Sequence, residues 1–229
     1  YEKDVITEII KIAQEKKLIL FSDEIYDKVL FDNHKHHPTA ALSDDVLVFT
    51  YGGLSKNYRA AGFRGGWLIL SGPVHRAKSI AEGLNLLASM RLCANVPTQF
   101  GIQTALGGYQ SIDDLVSPEG RLTQQRDLIH YLITDIPGVT CVKPKGALYL
   151  FPKIDMKKFN FIDDEDFAYR LLEEKHVLIV PGSGFNHQDK SHFRIVFLPP
   201  TEELKQAGKL ISQFFDLSLL PQKTVKTVK

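Results

Sequence analysis

The sequence predicts an α/β protein in which part of an open, mostly parallel sheet of three strands with helices precedes a smaller α+β domain. The first observation is a set of three continuous apolar runs of strand length, at residues 18–22, 46–50 and 67–70. Such runs are typical of parallel strands that are covered on both faces. The second observation is the helical spacing of apolar residues over 3–17, which predicts an amphipathic helix leading into the first strand.

The second half of the chain differs in kind, because short apolar segments alternate there with helical patterns. A helix is predicted to open at Ser117-Pro118, a second to cover residues 164–175, and a third to start from a Thr201 cap. Strands are predicted at residues 139–142, 147–151, 177–180 and 193–197.

These patterns divide the chain into three parts. Residues 1–112 are predicted to form the partial sheet domain, with two helices between residues 73 and 108, and residues 113–220 the small C-terminal domain. Residues 221–229 are polar and basic, so we expect a loose tail. A sheet of three strands has unprotected edges, and we therefore expect its partner strands to come from elsewhere or from a longer protein.

The composition of the 229 residues excludes several classes of protein. Lys and Arg number 28 and Asp and Glu 27, and a net charge of +1 argues against a nucleic-acid or acidic-membrane partner. The two cysteines, Cys93 and Cys141, are too few for a disulfide framework or a structural zinc site. No apolar run approaches the roughly 20 residues that cross a bilayer. We expect a cytoplasmic protein.

The first local signal is an acidic turn after the first predicted strand. Ser22-Asp23-Glu24-Ile25-Tyr26 follows that strand directly. Asp23 and Glu24 are either ordinary turn residues or supply an ionised carboxylate at a ligand crevice, since ligands of open α/β sheets sit at the carboxyl ends of strands.

The second signal is a glycine-rich segment after the second predicted strand. Gly52-Gly53-Leu54-Ser55-Lys56 lacks the Gly-Lys-Ser/Thr order of a phosphate loop, because Ser55 precedes Lys56. A lysine in a crevice loses its charge readily and then attacks carbonyl carbons as an amine. Arg64 could supply a planar fork for a phosphate.

Two further signals have competing interpretations. Arg194 lies within the apolar strand pattern Phe193-Arg194-Ile195, where it would pair with a structural carboxylate or await the carboxylate of a substrate. The histidine-rich turn at residues 33–38 could hold a metal, but no second ligand cluster supports such a site. We therefore predict a solvated turn and no metal.

Taken together, these residues resemble the fold-type-I aminotransferases, which use pyridoxal 5'-phosphate. The resemblance rests on Ser-Asp-Glu-Ile-Tyr, the later Ser-Lys, the Arg eight residues beyond it and the late Phe-Arg-Ile, and it covers the chain to about Phe215. The stretches at residues 87–97, 105–110 and 143–152 look like the bacterial glutamate–pyruvate (alanine) aminotransferase branch.

The resemblance implies a role for each residue of the set. Lys56 would hold the cofactor covalently and move the proton at the α-carbon of the amino acid. Asp23 would face the pyridine nitrogen and Tyr26 the ring oxygen of the cofactor. Ser55 and Arg64 would bind the cofactor's phosphate. Arg194 would clamp the α-carboxylate of the substrate.

The resemblance also implies an activity and partners. The activity would be amino-group transfer in amino-acid biosynthesis, between an amino acid such as alanine or glutamate and a 2-oxo acid, in a homodimer. An N-terminal portion nearly as long again would complete the large domain, so we expect the chain to be a C-terminal portion with impaired turnover. The alternatives are an inactive fragment, a non-catalytic cofactor-binding or regulatory module, and a C–S or β-eliminating lyase of the same fold.

Overall fold

A computed structural model describes residues 1–219, which form two compact units, one over residues 1–114 and one from residue 115 onward. The loose tail predicted at residues 221–229 lies outside the described residues. The α/β fold class predicted from the sequence is confirmed, since helices and sheets mix throughout the chain. Among residues 1–219, no helix combines the length and the apolar character that crossing a membrane requires.

The first unit is built from a short sheet and the helices beside it. Helix α1 (Lys3–Glu15) packs its apolar side, through Ile10 and Ala13, against Val46 and Val48 in a small buried core. The elements of this unit are α1 (Lys3–Glu15), β1 (Leu20–Asp23), β2 (Val48–Gly53), β3 (Gly66–Ser71), α2 (Lys78–Arg91), α3 (Val96–Gly107) and the start of α4 (Ile112–Val116).

The third strand corrects the prediction of a mostly parallel sheet. β1 pairs with β2 in parallel, whereas β3 runs antiparallel to β2, with Gly53 opposite Gly66. Residues 54–65 contain only a short 3₁₀ turn, whereas the crossover that returns a chain to a parallel strand is usually a helix. The expected cover on both faces is also absent within residues 1–219, where Phe21 is 67% and Ile69 52% exposed.

The helices that follow agree with the sequence pattern. α2 and α3 meet near Cys93, as predicted, and Pro97 lies in the first turn of α3, where its missing N–H costs nothing. No residue of α2 is buried, and Thr98 is the buried residue of α3. This helix pair therefore presents apolar side chains at the surface of its unit.

The second unit surrounds a core of phenylalanine rings. Its three-stranded sheet is antiparallel, in the order β5 (Tyr149–Leu150), β8 (Phe193–Val196) and β7 (Val180–Pro181). A separate pair joins β4 (Val139–Thr140) to β6 (Lys153–Ile154). Phe167, Phe214 and Phe215 are fully buried, with ring centroids 5.1 Å apart between Phe167 and Phe215. The elements are α5 (Arg121–Thr134), β4 (Val139–Thr140), β5 (Tyr149–Leu150), β6 (Lys153–Ile154), α6 (Asp164–Lys175), β7 (Val180–Pro181), β8 (Phe193–Val196) and α7 (Thr201–Leu217).

Two predicted helix starts in this unit are wrong. α5 begins at Arg121 rather than at Ser117-Pro118, because Gly120 donates its N–H to the Ser117 carbonyl and closes a separate turn first. At α7 the capping position belongs to Pro200 rather than to Thr201, which is the first helical residue. The predicted helix over residues 164–175 is confirmed, and the Asp163 side chain caps it by accepting from the Asp166 N–H at 3.0 Å.

Candidate active site

Asp23 ends β1 at the edge where both strands of the parallel pair finish. It lies opposite Tyr51 of β2, and the Glu24 N–H continues the ladder by donating to the Tyr51 carbonyl at 3.0 Å. The Asp23 carboxylate is exposed and accepts one hydrogen bond, from the Ile25 N–H at 3.2 Å. Within residues 1–219 no cation forms an ion pair with it, so the carboxylate is free to bind a cationic group of a ligand.

Lys56 lies in the loop that follows β2, at the same end of the parallel pair. The loop is closed by hydrogen bonds from the Leu54 N–H to the Gly65 carbonyl and from the Ala60 N–H to the Leu54 carbonyl, each 3.0 Å. The half-buried Lys56 side chain places its Nζ 5.8 Å from the centroid of the Tyr26 ring. In the described part of the chain no carboxylate neutralises this amine. The geometry therefore brings Asp23, Tyr26 and Lys56 to one end of the sheet.

Glu24 organises the segment around Asp23 instead of serving as a plain turn residue. Its carboxylate is 11% exposed and forms a hydrogen bond with His36 Nε2 at 2.8 Å. It also accepts hydrogen bonds from Ser22 Oγ at 2.9 Å and from the Thr39 N–H at 3.0 Å. Burial raises the pKa of Glu24, but the hydrogen bond from His36 and the others outweigh burial, so the pKa lies below its ordinary value.

This contact corrects the prediction that the histidine-rich turn is simply solvated. The His36 side chain is 28% exposed and anchored to Glu24, which fixes the turn to the end of β1. His34 lies 3.7 Å from Glu2, with 33% of its side chain exposed. Among residues 1–219 no group of three or more His, Cys, Asp or Glu side chains is arranged to hold a metal ion.

Arg64 and Ser55 lie in the same loop as Lys56. Arg64 has a left-handed backbone, with φ of 53°, and its Nη1 donates to the Ala61 carbonyl at 2.6 Å. Within the described residues, the other guanidinium nitrogens form no hydrogen bond or ion pair. Arg64 lines an open cavity of about 850 Å³ together with Asn95 and Gln99 of the α3 region, while Ser55 is half-buried in the loop.

Glycine at position 65 is required by the approach of α3. A Cβ there would lie 2.3 Å from Thr98 Cγ2, closer than two carbon atoms can approach. Thr98 Oγ1 and Asn95 Nδ2 both donate to the Phe63 carbonyl, at 2.8 and 2.9 Å. The start of α3 therefore fixes the turn that carries Arg64.

Arg194 belongs to the second unit, on β8 opposite Val180. Its Cζ lies 4.6 Å from the centroid of the Tyr149 ring and 4.6 Å from that of Phe185. Within residues 1–219 no carboxylate forms an ion pair with Arg194, so nothing supports the alternative of a structural partner. The aromatic rings stabilise the guanidinium through their π faces and leave its N–H groups available to a carboxylate.

One family of known proteins matches most of the chain. A family model described as aminotransferase class I and II matches residues 1–211. The chain belongs to this family. The enzymes of the family depend on pyridoxal 5'-phosphate.

Relatives and solved structures of aminotransferases resemble this chain closely. The glutamate-pyruvate aminotransferase AlaA of Haemophilus influenzae is 56% identical over 93% of this chain and 53% of its own length. The alanine aminotransferase of Mycobacterium tuberculosis is 47% identical over 93% of this chain and 50% of its own. An Escherichia coli aminotransferase structure superimposes with a TM-score of 0.93 at 51% identity, covering 96% of this chain and 55% of that one. The chain spans about half the length of the curated relatives it matches.

Sequence reasoning missed several residues that shape the site of this aminotransferase chain. Asn57 is buried and donates its amide to Asp27, while its Oδ1 accepts from the Lys28 N–H at 3.4 Å. It therefore ties the loop of Lys56 to the segment after β1. A single asparagine has no periodicity or spacing, so only its position next to Lys56 could have drawn attention to it. Phe185 and Tyr149 were missed for the same reason.

Proposed function

We propose that this chain forms part of a pyridoxal-phosphate-dependent aminotransferase that moves an amino group between an amino acid, alanine or glutamate, and a 2-oxo acid. The observation that carries the proposal is the amine of Lys56, which has no carboxylate partner among the described residues and faces Tyr26 beside the end of β1. The names of the relatives support alanine, glutamate and pyruvate as substrates.

The donor set at the end of the sheet fits the cofactor. When bound, pyridoxal phosphate draws electrons away from the α-carbon of the amino acid, which lets that carbon release its proton. Lys56 would hold the cofactor through its amine and then accept and return this proton. The Asp23 carboxylate would accept a hydrogen bond from the protonated ring nitrogen, and the Tyr26 hydroxyl would donate to the ring oxygen.

The phosphate and the substrate would use the remaining candidates. Among residues 1–219, Arg64 has guanidinium nitrogens without a hydrogen-bond partner, and Ser55 lies one residue before Lys56, so both are suited to the phosphate. Arg194 would bind the α-carboxylate of the substrate with two parallel hydrogen bonds, which orients the α-hydrogen for transfer.

We further propose a cytoplasmic homodimer that serves amino-acid biosynthesis. The α2–α3 helix pair exposes apolar side chains, among them Leu87 at 65%, Met90 at 72% and Phe100 at 78% exposure. These side chains support the proposal that a second copy of the chain covers this surface. Two free thiols, Cys93 and Cys141, support a reducing compartment.

Borohydride reduction tests the role of Lys56. The purified chain is incubated with pyridoxal phosphate, reduced, digested and examined by mass spectrometry. We expect the cofactor's mass to be attached at residue 56, and the label to vanish in Lys56→Ala. Lys28→Ala is the matched control, because Lys28 Nζ is already bound to Gln110 Oε1 at 2.6 Å, and it should leave the label at residue 56. Equal labelling of the Lys56→Ala chain would refute the proposal.

A further inference from the structure

A buried carboxylate that has no role among the residues assigned above lies at the start of α6. Asp164 has no exposed surface, and its Oδ2 accepts a hydrogen bond of 2.7 Å from the Ser183 N–H. Its Oδ1 is buried and has no hydrogen-bond partner among the described residues. Burying a carboxylate with an oxygen left unpaired costs free energy, so we expect the remaining contacts of Asp164 to offset this cost.

Asp164 holds the short 3₁₀ turn Gly182–Phe185, which follows β7. The turn is tied to β8 as well, because the Gly182 N–H donates to the His192 carbonyl at 2.8 Å. A Cβ at Gly182 would lie 2.9 Å from His192 Cβ and 3.2 Å from Asp164 Oδ2. The turn is therefore packed closely between α6 and the residue that precedes β8.

The last residue of this turn touches Arg194. Phe185 places its ring centroid 4.6 Å from the Arg194 Cζ, and Tyr149 of the paired strand β5 does the same. Within residues 1–219 no carboxylate forms an ion pair with Arg194, so the contacts of the guanidinium are with these two aromatic rings. Phe185 is 47% exposed and meets the Phe151 ring edge-on, with 6.3 Å between the centroids, so burial alone does not fix its ring and the anchored turn contributes to its position.

We propose that Asp164 is a positioning residue for Arg194: by holding the Ser183 amide, it fixes the turn that sets the Phe185 ring against the guanidinium. The fork of Arg194 is then pre-oriented for the carboxylate of a 2-oxo or amino acid, which reduces the ordering required on binding. The inference rests on the proposed function in one respect, namely that the ligand of Arg194 is a carboxylate.

The test titrates the full chain with pyruvate and follows the Nε–H signal of Arg194 by nuclear magnetic resonance. Asp164→Ala should raise the Kd for pyruvate about five-fold and shift the Arg194 signal toward that of an unstacked arginine. Asp164→Asn should recover most of this loss, because its amide oxygen can accept from the same Ser183 N–H. Asp216→Ala, which removes an exposed carboxylate of α7, is the matched control and should bind pyruvate like the parent chain.

Phe185→Leu keeps the test decisive even when Asp164→Ala does not fold, since the ring is half-exposed. It should reproduce the weaker binding while the Ser183 amide stays protected from hydrogen exchange. If Arg194→Ala weakens pyruvate binding but Phe185→Leu or a folded Asp164→Ala does not, the positioning role is overturned and the proposed function stands. If Arg194→Ala itself binds pyruvate normally, the carboxylate-binding role of Arg194 and the positioning role of Asp164 are both overturned. The Lys56 labelling then tests the proposed function separately.

Discussion

The Nζ of Lys56 lies 5.8 Å from the centroid of the Tyr26 ring, beside the end of the parallel strand pair β1–β2. An ammonium group at this distance from a ring is attracted to its π face. The contact holds the lysine side chain on the side of the loop where β1 ends. Among the described residues, no carboxylate forms an ion pair with Lys56.

Removal of the Tyr26 ring should weaken capture of the cofactor by Lys56. A cation–π contact contributes about 0.5–1 kcal/mol, so Tyr26→Leu should lower the equilibrium constant for pyridoxal phosphate binding about two- to five-fold. Tyr26→Phe is the control that keeps the ring and isolates the hydroxyl. The measurement is an absorbance titration with the cofactor, and identical binding by Tyr26→Leu and the parent chain would contradict the role of the ring.

The Glu24–His36 pair should make the stability of the first unit depend on acid pH. The pKa of Glu24 lies below its ordinary value of 4.5, so its ionised form is more stable in the folded protein than in the unfolded chain. This contribution to the free energy of unfolding is fully present at pH values above 4.5. It is lost as the pH falls through the lower pKa that Glu24 has in the folded protein.

Urea unfolding from pH 7 downward measures the effect, with Glu24→Gln as the variant that cannot titrate. The fluorescence of Trp67, the single tryptophan, reports on the first unit. The free-energy difference between the parent chain and Glu24→Gln should be constant at neutral pH and shrink in acid. A difference that stays constant down to the acid limit of folding would show that the Glu24 contacts do not favour the ionised form.

The sheet should not tolerate a side chain at position 52. Gly52 pairs with Trp67 across β2 and β3, and a Cβ there would lie 2.4 Å from the indole Nε1. We expect Gly52→Ala to lower the free energy of unfolding by about 1–3 kcal/mol, the usual cost of overpacking. Gly62→Ala is the control, since nothing lies within 4 Å of its added Cβ. Equal urea midpoints for the two variants would rule out the clash.

Loss of Asn57 should loosen the loop that carries Lys56. Asn57→Ala leaves Asp27 and the Lys28 N–H without their partner, and we expect a loss of about 1–3 kcal/mol in unfolding free energy. Asn85→Ala, at an exposed position of α2, is the matched control. Labelling of Lys56 should also be slower in Asn57→Ala. Unchanged stability together with unchanged labelling would mean that Asn57 does not support the loop.

Substitution of Arg194 should reveal whether its planar fork binds a carboxylate. A hydrogen bond to a charged group contributes about 1.5–3 kcal/mol, so Arg194→Ala should raise the Kd for pyruvate about 10- to 150-fold. Arg194→Lys keeps the charge but loses the two parallel N–H groups, and it should recover only part of the affinity. Full recovery by lysine would show that charge alone, rather than the fork, attracts the ligand.

The sequence by itself determined the class of fold, the helix pair between β3 and α4, the extent of α6, and the candidate residues of the site. Apolar periodicity is a local property, and it reports which segments are helices or strands before any of them packs. The ordered set from Asp23 to Arg194 likewise needs only residue type and spacing, which is why the family resemblance was visible and is confirmed.

Only the tertiary structure decided what depends on partners distant in sequence. The direction of β3 follows from the loop that returns the chain, and the position of the His36 ring follows from its hydrogen bond to Glu24, twelve residues away. The aromatic surroundings of Arg194 join residues 149, 185 and 194, which no local pattern links. Pairing, burial and hydrogen bonding are properties of contacts between segments, and those contacts form only when the chain folds.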